Sequence, residues 1–326
     1  MASLPQCCNH PYFIFYMKRI LLLLCVLSFA VPALAQIPTD GLLMPANTLC
    51  TGFMYQHDSW DHYWEGSLKR DNLNIGKFTG NNVMWYGVYG VSPKLNVMAS
   101  LPFVANKVSM GTLMPMSGLQ DLMISGKYKL IETVAGPGKF YTYAVASFST
   151  PMSNYSPDFL PVSLGVHTTN VAGRLTFNYT LNAGIYINAS GGYTWRSNTK
   201  LDRPAYYTDN HYYSTNEVWM PNMLDYNVDI GYHKGPLQAT VSYMQMNTLG
   251  GGDIRRQDMP FASNKMNAQR VGALVMYYLP WPKNMAVRAS ANYTVAGRNV
   301  GQTTSVMGGI LYTIYFKKPA TEETSK

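Results

Sequence analysis

The stretch Gly118–Glu132, GLQDLMISGKYKLIE, decides how the chain is read. Leu122, Ile124, Gly126, Tyr128 and Leu130 fall on one alternate set, and Asp121, Met123, Ser125, Lys127 and Lys129 on the other. Successive side chains of a strand point to opposite faces, so this is a strand with one apolar and one charged side. A soluble sandwich would bury the apolar side in a core. A membrane barrel would turn it to lipid and point the charges into a lumen.

The same alternation recurs along the chain. Leu175, Phe177 and Tyr179 alternate with Arg174, Thr176 and Asn178, and Val228 and Ile230 alternate with Asn227 and Asp229. About twelve such segments are predicted, near 48–57, 79–91, 94–104, 119–131, 139–150, 168–181, 184–197, 222–234, 237–248, 266–279, 284–297 and 303–316. Each is long enough for a tilted membrane strand of ~9–11 residues. Charged residues make up 13% of the 326-residue chain, against roughly 25% in ordinary soluble proteins. The 25 tyrosines and 27 glycines suit strands, membrane interfaces and turns.

The connections discriminate between lipid and core. Short, turn-rich links (Val91–Lys94, Ala135–Gly138, Leu181–Gly184, Lys234–Pro236, Pro280–Asn284) alternate with longer polar segments at 58–78, 105–118, 151–167, 198–221 and 249–265, before a short final link at 298–302. Long loops at one end and tight turns at the other, with an even strand count, mark an outer-membrane barrel. Hydrocarbon offers no partner to an open sheet edge, so spanning strands must close. The fold expected is an all-β, antiparallel, up-and-down transmembrane barrel of about twelve strands. Trp85, Tyr89, Tyr193, Trp195 and Tyr277 are expected in its interfacial girdles.

The N-terminus reads as an export signal. Met17-Lys18-Arg19 supplies a basic start, Ile20–Pro32 an apolar stretch, and Ala33-Leu34-Ala35 a small-residue cleavage site before Gln36. Residues 1–16 read as an upstream extension, 17–35 as a cleaved signal peptide, 36–316 as the barrel and 317–326 as a polar periplasmic tail. Cleavage would remove Cys7, Cys8 and Cys25, leaving Cys50 without an intramolecular partner. The last strand carries Val306, Gly308, Ile310, Tyr312, Ile314 and Phe316 on one face, as in the terminal strand read by the outer-membrane assembly machinery. Here a tail follows Phe316.

Gly118-Leu119-Gln120-Asp121, followed by Gly126-Lys127-Tyr128, resembles the GLGD…GAKY hairpin strand of an outer-membrane family. That family is labelled for the MetA-pathway of phenol degradation, or simply as "transporter", and is related in plan to hydrophobic-compound uptake barrels. The segment Tyr63–Asn72 also resembles a stretch seen in such proteins. The resemblance implies a passive channel for aromatic solutes.

Asp121, Lys127, Lys129, Arg174, Arg196, Asp225, Asp229, Arg270 and Arg288 are expected to line the lumen, where opposite charges pair across the bore and filter solutes. Buried charges are costly alone, so Lys127 and Arg174 are expected to find aspartates. Trp60, Trp64, Tyr206, Tyr207, Tyr212 and Tyr213 are expected in external loops as capture surfaces for aromatic solutes. The cluster His57, Asp58, Asp61, His62 and Glu65 matches no common metal spacing. No outward strand face sets a serine beside a histidine, so no catalysis, cofactor or metal is expected.

The expected function is passive uptake of small hydrophobic or aromatic solutes across the outer membrane. The expected partners are membrane lipid and lipopolysaccharide, the assembly machinery and small solutes, with no nucleic acid. A non-conducting structural or adhesive barrel and a lipid-modifying barrel enzyme stand as alternatives, with a soluble sandwich behind them.

Overall fold

A computed structural model describes residues 37–255 and 258–316. The upstream extension at 1–16, the signal peptide at 17–35 and the tail at 317–326 lie outside the described residues. Twelve long strands follow one another: β1 Thr48–Trp60, β2 Phe78–Gly90, β3 Leu95–Val108, β4 Asp121–Ala135, β5 Gly138–Pro151 and β6 Asn170–Leu181. They continue as β7 Ile185–Arg196, β8 Met223–Lys234, β9 Leu237–Thr248, β10 Asn267–Tyr278, β11 Met285–Arg298 and β12 Thr304–Tyr315. Each pairs antiparallel with its sequence neighbours. β1 also pairs with β12, from Thr48↔Tyr315 to Ser59↔Thr304, and this closes the barrel.

The 13 residues of β1 extend roughly 43 Å at ~3.3 Å each. At the ~45° tilt of a spanning strand they cover about the 30 Å of a hydrocarbon core. One face of every strand is solvent-free only if lipid covers it: Phe53, Val83, Phe103, Ile124, Phe177, Ile187, Ile230 and Val241 all point outward and are exposed. Such a continuous apolar belt is untenable in water. Tight turns lie at one end, with Gly136 and Gly235 in the left-handed region that side chains with a Cβ avoid. The first residue of β1 and the last of β12 sit at that same end.

The opening motif departs from strict alternation once. Lys129 faces Tyr143 and Ile131 faces Thr142, so Leu130 is an extra residue in β4. This bulge keeps Leu130 and Ile131 both outside, at 51% and 50% exposure. It also returns Glu132 to the inner face, where it pairs with Lys129 and reaches Lys139 at 3.6 Å. Without the bulge, Ile131 would join the lysines and Glu132 would meet lipid, which explains why an irregularity survives there.

Trp85 differs from its girdle expectation. It lies mid-strand in β2, opposite Phe53, and its Nε1 donates to Thr51 Oγ1 at 3.1 Å. Tyr193 and Trp195 lie toward the long-loop end of β7, outward and exposed.

Candidate functional site: a lumen crossed by residues 37–47

The residues before β1 do not leave the barrel; they enter it. Asp40 and Met44 are buried, and Met44 belongs to one apolar cluster with inward side chains of β1, β2, β3, β5, β10, β11 and β12. A Cβ added to Gly41 would sit 2.4 Å from Asn188 Oδ1 and 2.5 Å from Asn178 Cγ, so only glycine fits between β6 and β7 there. The peptide of Pro45 passes so close to β2 that a Cβ on Gly90 would lie 2.0 Å from its carbonyl oxygen. Just before β1 begins, the segment is tied to the end of β2 by the bond from Asn47 N to Gly90 O, 2.7 Å.

Lys127 anchors this segment. Its side chain is fully buried, and its Nζ donates to Asp40 Oδ1 at 2.7 Å, to Asp40 O at 2.5 Å and to Ile37 O at 3.4 Å. An ammonium has three donors, and here three acceptors meet them. Nζ also lies 5.1 Å from the centre of the Tyr143 ring. The burial cost of the charge is thus met by an ion pair, two carbonyls and an aromatic face.

Other inward charges are held to different degrees. Arg174 pairs with Asp225 and donates to Ser190 Oγ at 2.9 Å. Asp229 accepts from Asn227 Nδ2 at 2.7 Å and Asn188 Nδ2 at 3.5 Å. Asp121 accepts from Tyr155 OH at 2.6 Å, which ties β4 to the 152–169 loop. Arg288 is 7% exposed and lies within the field of Asp40, Tyr86 and Tyr278, while Arg270 feels Asp58. Arg196, the last residue of β7, has no carboxylate acting on it.

The inner wall is not uniformly polar. Met54, Met84, Met98, Met276, Met307, Tyr86, Tyr278 and Leu311 converge with Met44 into one apolar cluster inside the barrel. Sequence reading assigned the inner faces to charged and polar residues and overlooked this cluster. In β1 its Met54 stands between the outward Phe53 and Tyr55. Residues 37–47 carried one clue to their place, the apolar run Leu42-Leu43-Met44 ahead of the first strand.

The long loops fold rather than wave. Loop 61–77 forms a hairpin, His62–Glu65 against Leu68–Asp71. There Trp60 stacks on Phe78 at 5.5 Å, and Trp64 is 7% exposed. His62 stands between Asp61 at 2.6 Å and Asp71 at 3.0 Å, and its hydrogen bond holds the Asp61 carboxyl below the usual carboxylate range. Among the described residues no three His, Cys, Asp or Glu side chains converge as a metal site.

Tyr206 packs under Phe261 and Tyr213 in a small core with Leu201, Val218 and Met220, which joins the 197–222 and 249–266 loops. Trp64 and Tyr206 therefore contact protein, whereas Tyr207 and Tyr212 stand exposed at 59% and 69% and Tyr213 is exposed more modestly. Asn299, with a left-handed backbone, links two of these loops. Its Oδ1 accepts from Gly66 N and Ile254 N, and its Nδ2 donates to Asp253 Oδ1 and Lys265 O.

Comparison with known proteins places this architecture. Among solved structures, the chain is similar to the COG4313 outer membrane channel from Pseudomonas putida F1: 15% identity, TM-score 0.69, covering 86% of this chain and 100% of that one. A weaker likeness joins it to the translocator domain of the autotransporter NalP from Neisseria meningitidis: 12% identity, TM-score 0.43, covering 92% and 95%. No curated protein sequence matches the chain. A family model described as "Putative MetA-pathway of phenol degradation" matches residues 72–308, from the first external hairpin to the last strand. The chain belongs to that family and has the closed twelve-strand fold of an outer-membrane β-barrel.

Proposed function

We propose that the barrel is a gated passive channel for small hydrophobic or aromatic solutes. The observation that carries this reading is the methionine- and tyrosine-rich cluster inside the barrel, closed over Met44. A wide pore for sugars or salts needs a wetted polar wall. Flexible thioethers instead rearrange around apolar guests and make favourable contacts to ring edges. Exposed Tyr207, Tyr212 and Tyr213 would receive the solute outside, the paired charges of the lumen would screen it, and movement of residues 37–44 would let it pass. The chemistry is transport without catalysis or cofactor.

The setting follows from the same reading. A cleaved signal would deliver the chain, the assembly machinery would read the strand ending at Phe316, and lipid and lipopolysaccharide would surround the apolar belt.

The test is flux through liposomes holding the purified barrel, read as the excess over protein-free liposomes, because small aromatics also cross bare lipid. Benzyl alcohol and toluene should cross faster than arabinose, and deleting residues 37–44 should admit arabinose as well. Equal permeation of arabinose and toluene through the intact barrel would sink the reading. One observation favours a non-conducting structural or adhesive barrel: the Lys127 ammonium has no donor left over, which suits a permanently closed lumen. Absence of flux for every solute, in both the intact and the shortened chain, would select it.

A further inference from the structure

Arg196 differs from the other inward cations. Lys127 has Asp40, Lys129 has Glu132 and Arg174 has Asp225. Among the described residues Arg270 and Arg288 form no ion pair either, but each lies in the field of an aspartate, which Arg196 does not. Among the described residues, no carboxylate forms an ion pair with Arg196. The inward acids nearest to it in register are already engaged: Asp225 by Arg174, and Asp121 by the Tyr155 hydroxyl. Its backbone is held, by strand pairing with Asn170 and by the N–H bond to Asn222 Oδ1 at 3.0 Å, but among the described residues its guanidinium has no hydrogen-bond partner.

Its guanidinium borders a cavity of about 250 Å³ at the loop end of the lumen. Met123, Val166 and Met223 supply apolar wall there, beside Ser147 and Thr168. Those two hydroxyls have partners already, Ser125 Oγ at 2.8 Å and Asn170 Oδ1 at 2.9 Å. Ser149 and Asn170 also line it and are bonded to each other at 3.0 Å, so the cavity combines one uncommitted planar cation with largely committed polar groups and apolar surface. Along β7 it stands four residues, roughly 13 Å, beyond the Gly192 position that faces Arg174 and Asp225. That places it on the loop side of the residues that close the bore.

We infer that this cavity is a binding site for a small carboxylate on an apolar body, such as benzoate, with Arg196 holding the carboxylate. A guanidinium meets a carboxylate through two parallel N–H···O bonds, and a charge half removed from water needs such a partner. The volume is below the ~300–1,000 Å³ of drug-sized pockets, so one ring fits and a lipid does not. A sugar would find most of the polar lining already bonded to protein. A cation would meet Arg196 with repulsion. The inference names the solute class of the proposed channel and rests on that reading, but binding can be measured without transport.

The test uses the folded full chain in detergent, with benzoate titrated by calorimetry and benzyl alcohol, benzylamine and inorganic phosphate as comparators. Benzoate should bind more tightly than all three. Arg196→Gln should cut the benzoate-to-benzyl-alcohol affinity ratio about tenfold or more, the loss expected for charged hydrogen bonds. Arg196→Lys keeps the charge but not the fork, and should lose a smaller part of that ratio. It also serves if the glutamine variant fails the heat-shift test of folding. An unchanged ratio in a folded variant overturns the site, as does phosphate or benzylamine binding as tightly as benzoate. Benzoate binding that depends on Arg196, in a barrel that passes no solute, upholds the site while the channel reading fails.

Discussion

Lys127 in the barrel wall and Asp40 in the entering segment meet at 2.7 Å inside the lumen, although 87 positions separate them in sequence. The pair fastens a non-strand peptide to the inner wall of the barrel. Its two members need each other, because neither charge has water to fall back on.

Removing one partner should therefore cost more than the pair contributes. Lys127→Ala leaves Asp40 buried without its cation, a loss of about 3–5 kcal/mol for a broken buried pair. The cheaper outcome is withdrawal of residues 37–44 from the lumen. Planar-bilayer recordings should show larger and noisier conductance for Lys127→Ala and for Asp40→Ala, with the heat resistance of the barrel retained. Conductance equal to wild type in both variants would show that the segment stays without its anchor.

Arg174 and Asp225 face each other from β6 and β8, across β7. If they set the field of the lumen, single neutralisations should move ion selectivity in opposite directions. Arg174→Gln should shift the reversal potential in a salt gradient toward cations, and Asp225→Asn toward anions. The two shifts should largely cancel in the double variant, since residues in contact are coupled. Parallel shifts would remove the pair from the conducting path.

Gly52 lies on the seam where β1 meets β12. A Cβ there would stand 2.0 Å from Ile310 O, a backbone atom that cannot swing aside. Gly52→Ala should destabilise closure by about 1–3 kcal/mol, as overpacking does elsewhere. The measurement is the temperature at which the folded band shifts on SDS gels. A mid-face control, Gly173→Ala, meets nothing within 4 Å and should leave that temperature unchanged.

The external loops should loosen in acid. Hydrogen bonding to Arg298, at 2.8 and 2.5 Å, holds the Asp253 carboxyl below the ordinary carboxylate range, with Asn299 adding a third bond. A depressed carboxylate contributes stability that is complete above its unfolded value of 3.8 and is lost as pH falls through the lower folded one. The side chain is 41% exposed, so the contribution is below about 1 kcal/mol. Hydrogen exchange in 249–255 should quicken below pH 3.8 and not between pH 5 and 8. Asp253→Asn should show the faster exchange already at pH 7.

The barrel was legible in residues 37–316 because strand periodicity is a local property. The alternation in Leu175–Tyr179 or Asn227–Ile230 states which side meets lipid whatever the partner strand is. The rhythm of short and long links states how many times the chain crosses. The site was legible only in part. Lys127 and Arg174 could be expected to need aspartates, but Asp225 was one of several choices and Asp40 lay outside every strand. The luminal methionines escaped notice because apolar residues inside a barrel weaken the alternation by which strands are found. Trp64 and Tyr206 looked available for capture, and only the packing of loop against loop shows them covered.

Sequence alone thus determined the all-β class, the closure and the outward faces, because each residue's preference for lipid or lumen is written in its own side chain. Tertiary structure alone decided that residues 37–47 cross the bore, that Lys127 holds Asp40 there, and that Arg196 is left without an acid. Those facts depend on which distant groups a closed wall brings within about 3 Å of one another, and short-range pattern carries no record of that distance.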